Sequence, residues 1–350
     1  MYLLRSIDGV YNILDSNSNE WNNYLNNITD NFQDIYYTSD YYKLYEENGD
    51  GKAKLFVYKE YDNIAIYPFM INEIKNYNLG EKYYDIESAY GYGGPLTNSY
   101  DEVFLSNFEN EFLRHCEENN IVAEFIRFHP LIKNNKIFDK NIEVFHNRIT
   151  VYLDFTKDID RIWNEDIKSK NRNMIRKAEK SGLVVELSND YETFKNIYSK
   201  TMSKVEANDY YYFNKKYYDQ MKNNNNYVLL NVKKEDIIIA SAIFMKYGDY
   251  FHYHLAGSLK EYLKFAPNNL LLWEAIKLAC KSGAKWFHLG GGLSNSLDDN
   301  LFRFKSSFSK NTADFYIGKR VHNIDVYNHL IEEWERKNGK ESKLLLQYRY

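Results

Sequence analysis

Two stretches of the chain alternate apolar and polar positions around a charged turn, as a β-hairpin does. Residues 57–70 read VYKEYDNIAIYPFM and residues 232–245 read VKKEDIIIASAIFM, each with two apolar runs flanking the turn. Aligned without gaps, seven of fourteen positions are identical: Val57/Val232, Lys59/Lys234, Glu60/Glu235, Ile64/Ile239, Ala65/Ala240, Phe69/Phe244 and Met70/Met245. The elements predicted after each hairpin also match in order. In the first half a strand-like run ends in AYGYGGP (Ala89 to Pro95), then an amphipathic helix over about 102–119 leads to a strand over 121–128. In the second half the strand FHYHLAG (251–257) leads to a helix over about 268–282 and a strand over 285–290. Cys116 and Cys280 fall at corresponding places near the ends of the two helices. Two copies of one α/β unit imply a duplicated fold with a cleft within or between its halves. The boundary is placed near Thr150, where HNRITVYLDF begins a new strand, giving domains 1–150 and 151–350. A final helix over about 325–337 is expected to pack across the second domain.

Residues 165–182, EDIKSKNRNMIRKAEKSG, carry the strongest local helix signal, with Glu165 and Asp166 in the first turn and Gly182 as the stop. Lys168, Arg172, Arg176 and Lys180 are spaced by four and form a cationic stripe. Six Lys or Arg within thirteen residues suit a polyanion such as a tRNA backbone, a sugar-nucleotide diphosphate or a cofactor pyrophosphate, because a guanidinium grips phosphate oxygens in pairs. The plainer reading is a solvated helix face.

Composition narrows the class. Of 350 residues, 44% are hydrophobic, enough for two cores of ordinary size. The 34 tyrosines lie in no repeat and read as compositional bias. A formal net charge of −4 excludes a broad nucleic-acid-binding surface, so any such contact is a local patch, and no DNA partner is expected. Two cysteines exclude a disulfide framework and a four-cysteine zinc site, and both thiols are expected to be free and buried. No leader-like segment opens the chain and no run approaches the roughly 20 apolar residues that span a bilayer. The expected location is the cytoplasm, peripheral contact with the membrane included.

Residues 286–308, WFHLGGGLSNSLDDNLFRFKSSF, run from an apolar strand into Gly290, Gly291 and Gly292, then through a polar loop to Lys305 set among Phe302, Phe304 and Phe308. Glycines admit close backbone approach and positive φ. A lysine among phenylalanines either snorkels from a core edge or stands as a fixed charge in a pocket. Together with KSKNRNMIRKAEKSG, HYHLAGSLKEYLKFAPNNLLLWEAIKLACKSGAKWFHLGGG and LFRFKSSFSK, this segment resembles the FemABX-type peptidyl and aminoacyl transferases and their GNAT-fold relatives. The resemblance covers about residues 150–320; the internal repeat extends it to the first half.

The resemblance implies an α/β fold of two tandem GNAT-like domains, each a mixed β-sheet flanked by helices. It implies an acyltransferase that moves an aminoacyl or acyl group onto an amine of a peptidoglycan or polysaccharide precursor; the alternatives are an acyl-CoA-dependent N-acyltransferase acting on an amino sugar and a non-catalytic module that binds a nucleotide-linked glycan. The donor would be aminoacyl-tRNA or acyl-CoA, with no permanently bound cofactor and no metal. The acceptor would be a phosphate-bearing, nucleotide- or lipid-linked precursor. On the matching positions, Lys168, Arg172 and Arg176 would meet phosphates, Lys305 would stabilise charge on the reacting carbonyl or hold a precursor phosphate, and Gly290, Gly291, Gly292 and Phe304 would shape the acceptor site. The helical arm of some members is absent, as is the Gln/Arg-x-x-Gly-x-Gly/Ala signature of acyl-CoA enzymes; Ser88 and Phe287 stand where its Arg or Gln would be. Acyl transfer to an amine also requires the amine to arrive neutral. His252 and His254, alternating along one strand, and Glu206 in the loop-like KVEANDYYYF are the candidate proton acceptors, although ordinary strand and surface roles are the favoured account of each.

Overall fold

A computed structural model describes residues 9–138, 140, 142–204 and 211–350. The first half contains β1 (Val10–Asp15), α1 (Trp21–Asn26), α2 (Ser39–Asn48), β2 (Lys52–Glu60), β3 (Asn63–Glu73), β4 (Tyr84–Glu87), β5 (Leu96–Thr97), α3 (Glu102–Glu118), β6 (Ile121–Arg127) and β7 (Glu143–Asp154). Then follow α4 (Ile159–Arg161), α5 (Ser169–Lys180), β8 (Leu183–Ser188), α6 (Tyr191–Lys204), α7 (Lys215–Lys222), β9 (Tyr227–Lys234), β10 (Ile237–Tyr247), β11 (Tyr250–Ser258) and α8 (Pro267–Lys281). The chain closes with β12 (Trp286–Gly291), α9 (Asn300–Lys305), β13 (Thr312–Val321) and α10 (Ile324–Asn338).

These elements form two units. One comprises the described residues of Met1–Asn147 and Phe315–Tyr350, the other Arg148–Asp314. In the first unit the strand order is β1-β2-β3-β4-β6-β13, with β5 on β3; in the second it is β8-β9-β10-β11-β12-β7. Each is antiparallel apart from one parallel pair, β4 with β6 and β11 with β12. The duplication read from the hairpins therefore extends to six strands of each unit, and β5 is an addition of the first. The last strand of each unit comes from the other half of the sequence: β7 follows β6 but pairs with β12, and β13 follows β12 but pairs with β6.

That exchange corrects the division at residue 150. Residues 315–350 belong with the first unit, because Ile317–Val321 ladder with β6 and Leu330 and Trp334 of α10 bury against Val122 and Ala123. The terminal helix thus packs on the first unit, not the second. The ungapped hairpin alignment is also half right. Ala65/Ala240, Phe69/Phe244 and Met70/Met245 correspond in register, but Glu60 closes its hairpin against Asn63, whereas Lys234 closes against Ile237. Glu60 thus matches Lys234, not Glu235, and a bulge at Ile239 absorbs the extra residue. Without the bulge, a one-residue slip would turn the side chains of the following strand to the wrong face.

The helices form where an N-cap meets a four-residue apolar spacing. Asp101 accepts from the backbone N–H of Phe104, and Phe104, Phe108, Phe112 and Cys116 then bury along one face of α3 against Phe56, Phe69 and Ile86. In the second unit Leu271, Ala275 and Ala279 of α8 play this part against Phe244, Phe251 and Phe287, with Pro267 starting the helix. Each large side chain so buried contributes roughly 1.5–3 kcal/mol. Cys116 is buried, and burial pushes its thiol well up; Cys280 is only half-buried, which corrects the expectation of two buried thiols. Among the described residues no helix is long and apolar enough to cross a membrane.

Candidate active site

The second unit opens between its two parallel strands. The β11–β12 ladder holds Tyr250, Phe251 and His252 to Trp286, Phe287 and His288 and ends there. Beyond it β11 keeps its outer partner β10 as far as Ser258, and β12 keeps β7 as far as Gly291. Tyr253 and His254 lie just past the last pair on one strand, Leu289 and Gly290 on the other.

His254 occupies a bulge, since Ile243 faces Leu255 while the next residue, Phe244, faces Tyr253. Its Nε2 lies 2.7 Å from the Tyr217 hydroxyl of α7. Burial, with the nearby His252 adding to it, pulls its pKa down to about 3, so His254 is neutral and a poor proton acceptor at physiological pH. His252 is buried edge-on to the His288 ring, 5.8 Å between centroids. Glu206 lies outside the described residues.

Lys305 is the cation of this opening. Asp299 caps α9: its Oδ1 accepts from the N–H groups of Leu301 and Phe302 at 2.9 and 3.0 Å, so the short helix begins there and ends at Lys305. Lys305 is 8% exposed, and its Nζ donates to the Gly291 carbonyl at 2.8 Å and lies 5.7 Å from the Tyr253 ring centre. It therefore touches both strands of the parallel pair just where they part. Burial pulls its pKa down to about 7, against the opposing pull of Asp299 and with a smaller push from Arg148.

The glycine run is explained by the protein's own side chains. Gly290 has φ +76°. A Cβ on Gly291 would sit 2.9 Å from Arg148 Cδ, and one on Gly292 would sit 2.5 Å from Asp299 Oδ1. Arg148 Nη1 donates to the Gly292 carbonyl at 2.7 Å and the Leu293 carbonyl at 3.2 Å. Phe304 packs edge-on to Phe308, at 5.3 Å, as part of the surrounding core. Sequence reading missed Arg148, Asp299 and Tyr217. An Asp before an apolar helical run is a capping signal that would have found Asp299; Arg148, more than 140 residues from the glycines it holds, has no local signal.

The basic helix is shorter than its pattern. It starts at Ser169, after a π-turn over Ile162–Asp166 and an extended Ile167. Glu165 and Asp166 therefore lie outside its first turn; they pair with Arg161 and Lys157. Lys168 is the N-cap residue and exposed. Arg172 donates from Nη1 to the carbonyls of Trp163 and Asn164, at 3.2 Å each, and of Ile167, closing the π-turn. Arg176 is exposed and lies over the Trp163 ring, 5.4 Å from its centre. The stripe thus divides into a structural arginine and exposed cations at Lys168, Arg176 and Lys180.

In the first unit the equivalent opening is stitched shut. Past the β4–β6 ladder, Ser88 N–H donates to the Phe125 carbonyl and Gly93 N–H to the Arg127 carbonyl, at 3.0 and 2.6 Å. Glu87, the counterpart of His252, is bound by Arg127 and Arg349. His129 is fully buried, with Nε2 3.0 Å from Asp34 and Nδ1 accepting from the N–H groups of Leu131 and Ile132. This pair anchors the loop that follows β6.

Comparison with known proteins bears on the fold and the family resemblance. Residues 167–306 match the family described as an acetyltransferase (GNAT) domain. Over 328 residues the chain is 23% identical to the UDP-N-acetylmuramoylpentapeptide-lysine N(6)-alanyltransferase of Weissella viridescens, covering 86% of this chain and 96% of that protein. A crystal structure of FemX superimposes with a TM-score of 0.68 at 15% identity, over 91% of this chain and 99% of that one. L-PGS from Bacillus licheniformis follows with a TM-score of 0.56 at 13% identity, over 87% and 92%. The resemblance to FemABX-type transferases therefore holds along the chain, and the protein is an acyltransferase built on the GNAT-type fold.

Proposed function

We propose that this chain moves an aminoacyl group from a tRNA-type carrier onto the side-chain amine of a peptidoglycan-precursor peptide; the name of its Weissella relative supplies the acceptor, the lysine N6 of UDP-N-acetylmuramoylpentapeptide, and an alanyl group as the one transferred. The observation that supports it most is the Lys305 amine, held 2.8 Å from the end of β12 and against Tyr253 of β11, where the parallel strands part. An acyl ester seated there meets a single buried cation. The acceptor amine, arriving neutral, attacks the ester carbonyl carbon, and the carbonyl oxygen takes up negative charge. Protonated Lys305 donates to that oxygen, which lowers the barrier most in a dry site. The intermediate collapses with cleavage of the ester C–O bond, and the proton lost by the amine ends on the carrier hydroxyl. His254, with its pKa near 3, is not assigned the base.

Lys168 and Arg176, exposed beside this site's core, are assigned to the phosphates of donor or acceptor; Arg172 is not. Arg176→Gln together with Lys168→Gln is expected to weaken a nucleotide-linked acceptor several-fold and to flatten its salt dependence in calorimetric titration. Arg172→Gln is expected instead to lower the melting temperature and leave the salt slope alone. Equal salt slopes in the double variant and the parent would remove the helix from phosphate binding.

The GNAT match over 167–306 favours a second reading, an acyl-CoA donor with an amino-sugar acceptor. One experiment separates the two. The protein is incubated with charged tRNA and UDP-N-acetylmuramoyl-pentapeptide, and separately titrated with CoA and acetyl-CoA. A gain of one aminoacyl residue in the mass of the pentapeptide supports the first reading. Saturable CoA binding without that gain replaces it with the second.

A further inference from the structure

Two charged side chains of opposite sign converge on the backbone of residues 292–294, beside Lys305, from different elements. Arg148 reaches from β7 and donates to the carbonyls of Gly292 and Leu293. Asp299, besides capping α9, accepts through Oδ2 from the N–H groups of Leu293 and Ser294, at 3.1 and 3.2 Å, and from the Ser294 hydroxyl. The strand end is thus gripped by its carbonyls from one side and by its amides from the other. The Gly291 carbonyl, which receives the Lys305 amine, lies next to the gripped residues. Gly291 and Gly292 admit these two side chains and nothing larger than hydrogen at their own Cα positions.

We propose that Arg148 and Asp299 are an opposed pair of positioning residues that fix the Gly291–Ser294 strand end and hold the amine of Lys305 against it. The assignment rests on Lys305 being the cation of the reaction. The charged and titratable groups facing that amine are Asp299 at the start of its own helix, Arg148 from β7 and the Tyr253 ring from β11; β12 presents the Gly291 carbonyl. Asp299 favours the protonated amine and Arg148 disfavours it. Burial pushes the Asp299 carboxyl up, but its four backbone hydrogen bonds outweigh this and keep it ionised well into acid. A purely structural pair would lose activity on substitution without moving the proton equilibrium of Lys305 in opposite senses.

The test uses the full chain and three substitutions, Arg148→Gln, Arg148→Lys and Asp299→Asn, with Lys305→Met as reference. The pH profile of kcat/KM is recorded, and the ε-carbon of Lys305 is followed by NMR in protein labelled with [6-13C]lysine and assigned by Lys305→Met. Arg148→Gln is expected to raise the pH at which Lys305 titrates and Asp299→Asn to lower it, each by on the order of one pH unit. Arg148→Lys is expected to titrate near the parent. Unmoved titration in both, or movement in one direction, overturns the proposal. Activity retained in Lys305→Met would defeat the reading of the reaction instead, and the NMR shifts would still decide the pair.

Discussion

Lys305→Met is expected to abolish transfer without loss of stability. The amine is the one described cation that touches both parallel strands at their parting, and removing a preorganised donor from an oxyanion typically lowers kcat by roughly 10²–10³-fold. The stability expectation follows from linkage. Folding pulls the Lys305 pKa from its ordinary 10.5 down to about 7, so the unfolded chain binds more protons than the folded one between those values. Stability contributed by this group therefore rises with pH from about 7 to about 10.5 and is lower on the acid side. Methionine has nearly the same length and carries no charge to bury. At neutral pH the variant should melt at or above the parent's temperature, and the pH dependence of stability in that window should flatten. A protein that gains stability while losing activity identifies a group kept for chemistry. Full activity in a folded Lys305→Met protein, measured by the pentapeptide mass assay, would remove Lys305 from the mechanism.

Arg320→Met is expected to give the largest loss of stability. Arg320 is 2% exposed in the first unit, donates from Nη2 to Glu109 at 2.6 Å and lies 3.6 Å from Glu124, which His322 also contacts at 3.1 Å. Removing one member of such a network leaves buried carboxylates without their counter-charge, at a cost of about 3–5 kcal/mol. The pH dependence carries the signature. Burial pushes the Glu124 carboxyl up, but Arg320 and the His322 hydrogen bond outweigh it and hold its pKa below the ordinary 4.5. In the parent this group thus adds stability above that ordinary value and loses it as pH falls through the lower folded one. In the variant burial acts with less opposition, the folded pKa rises, and acidification becomes stabilising. Urea unfolding at neutral pH and near about pH 5 should show the gap between the two proteins shrinking on the acid side. A constant gap would mean that lost packing against Phe138, not stranded charge, is the cause. Adding Glu109→Gln and Glu124→Gln to Arg320→Met should recover part of the loss.

Much of the site was legible because its parts are local. The strand running into three glycines, the polar loop and the lysine among phenylalanines lie within 25 residues, and the fold keeps them together as the Lys305 amine of α9 bonds back to β12. The partners were not legible. Arg148 holds Gly292 across 144 positions, and Tyr217 meets His254 across 37. Arg172 looked equivalent to Arg176 by spacing, but the π-turn before α5 presents three carbonyls to one of them and leaves the other in solvent.

The sequence by itself determined the duplicated α/β plan, the hairpins, the helices packed through four-residue apolar spacings and the lysine behind the glycine run. Those features rest on periodicity and capping, which act over a few residues. Only the tertiary structure decided that each half completes its sheet with the other half's last strand, that α10 joins the first unit, that the first unit's opening is sewn closed, and that an arginine and an aspartate frame Lys305. Each of those outcomes depends on which long-range ladder or ion pair buries its groups best, and such pairings leave no trace in local spacing.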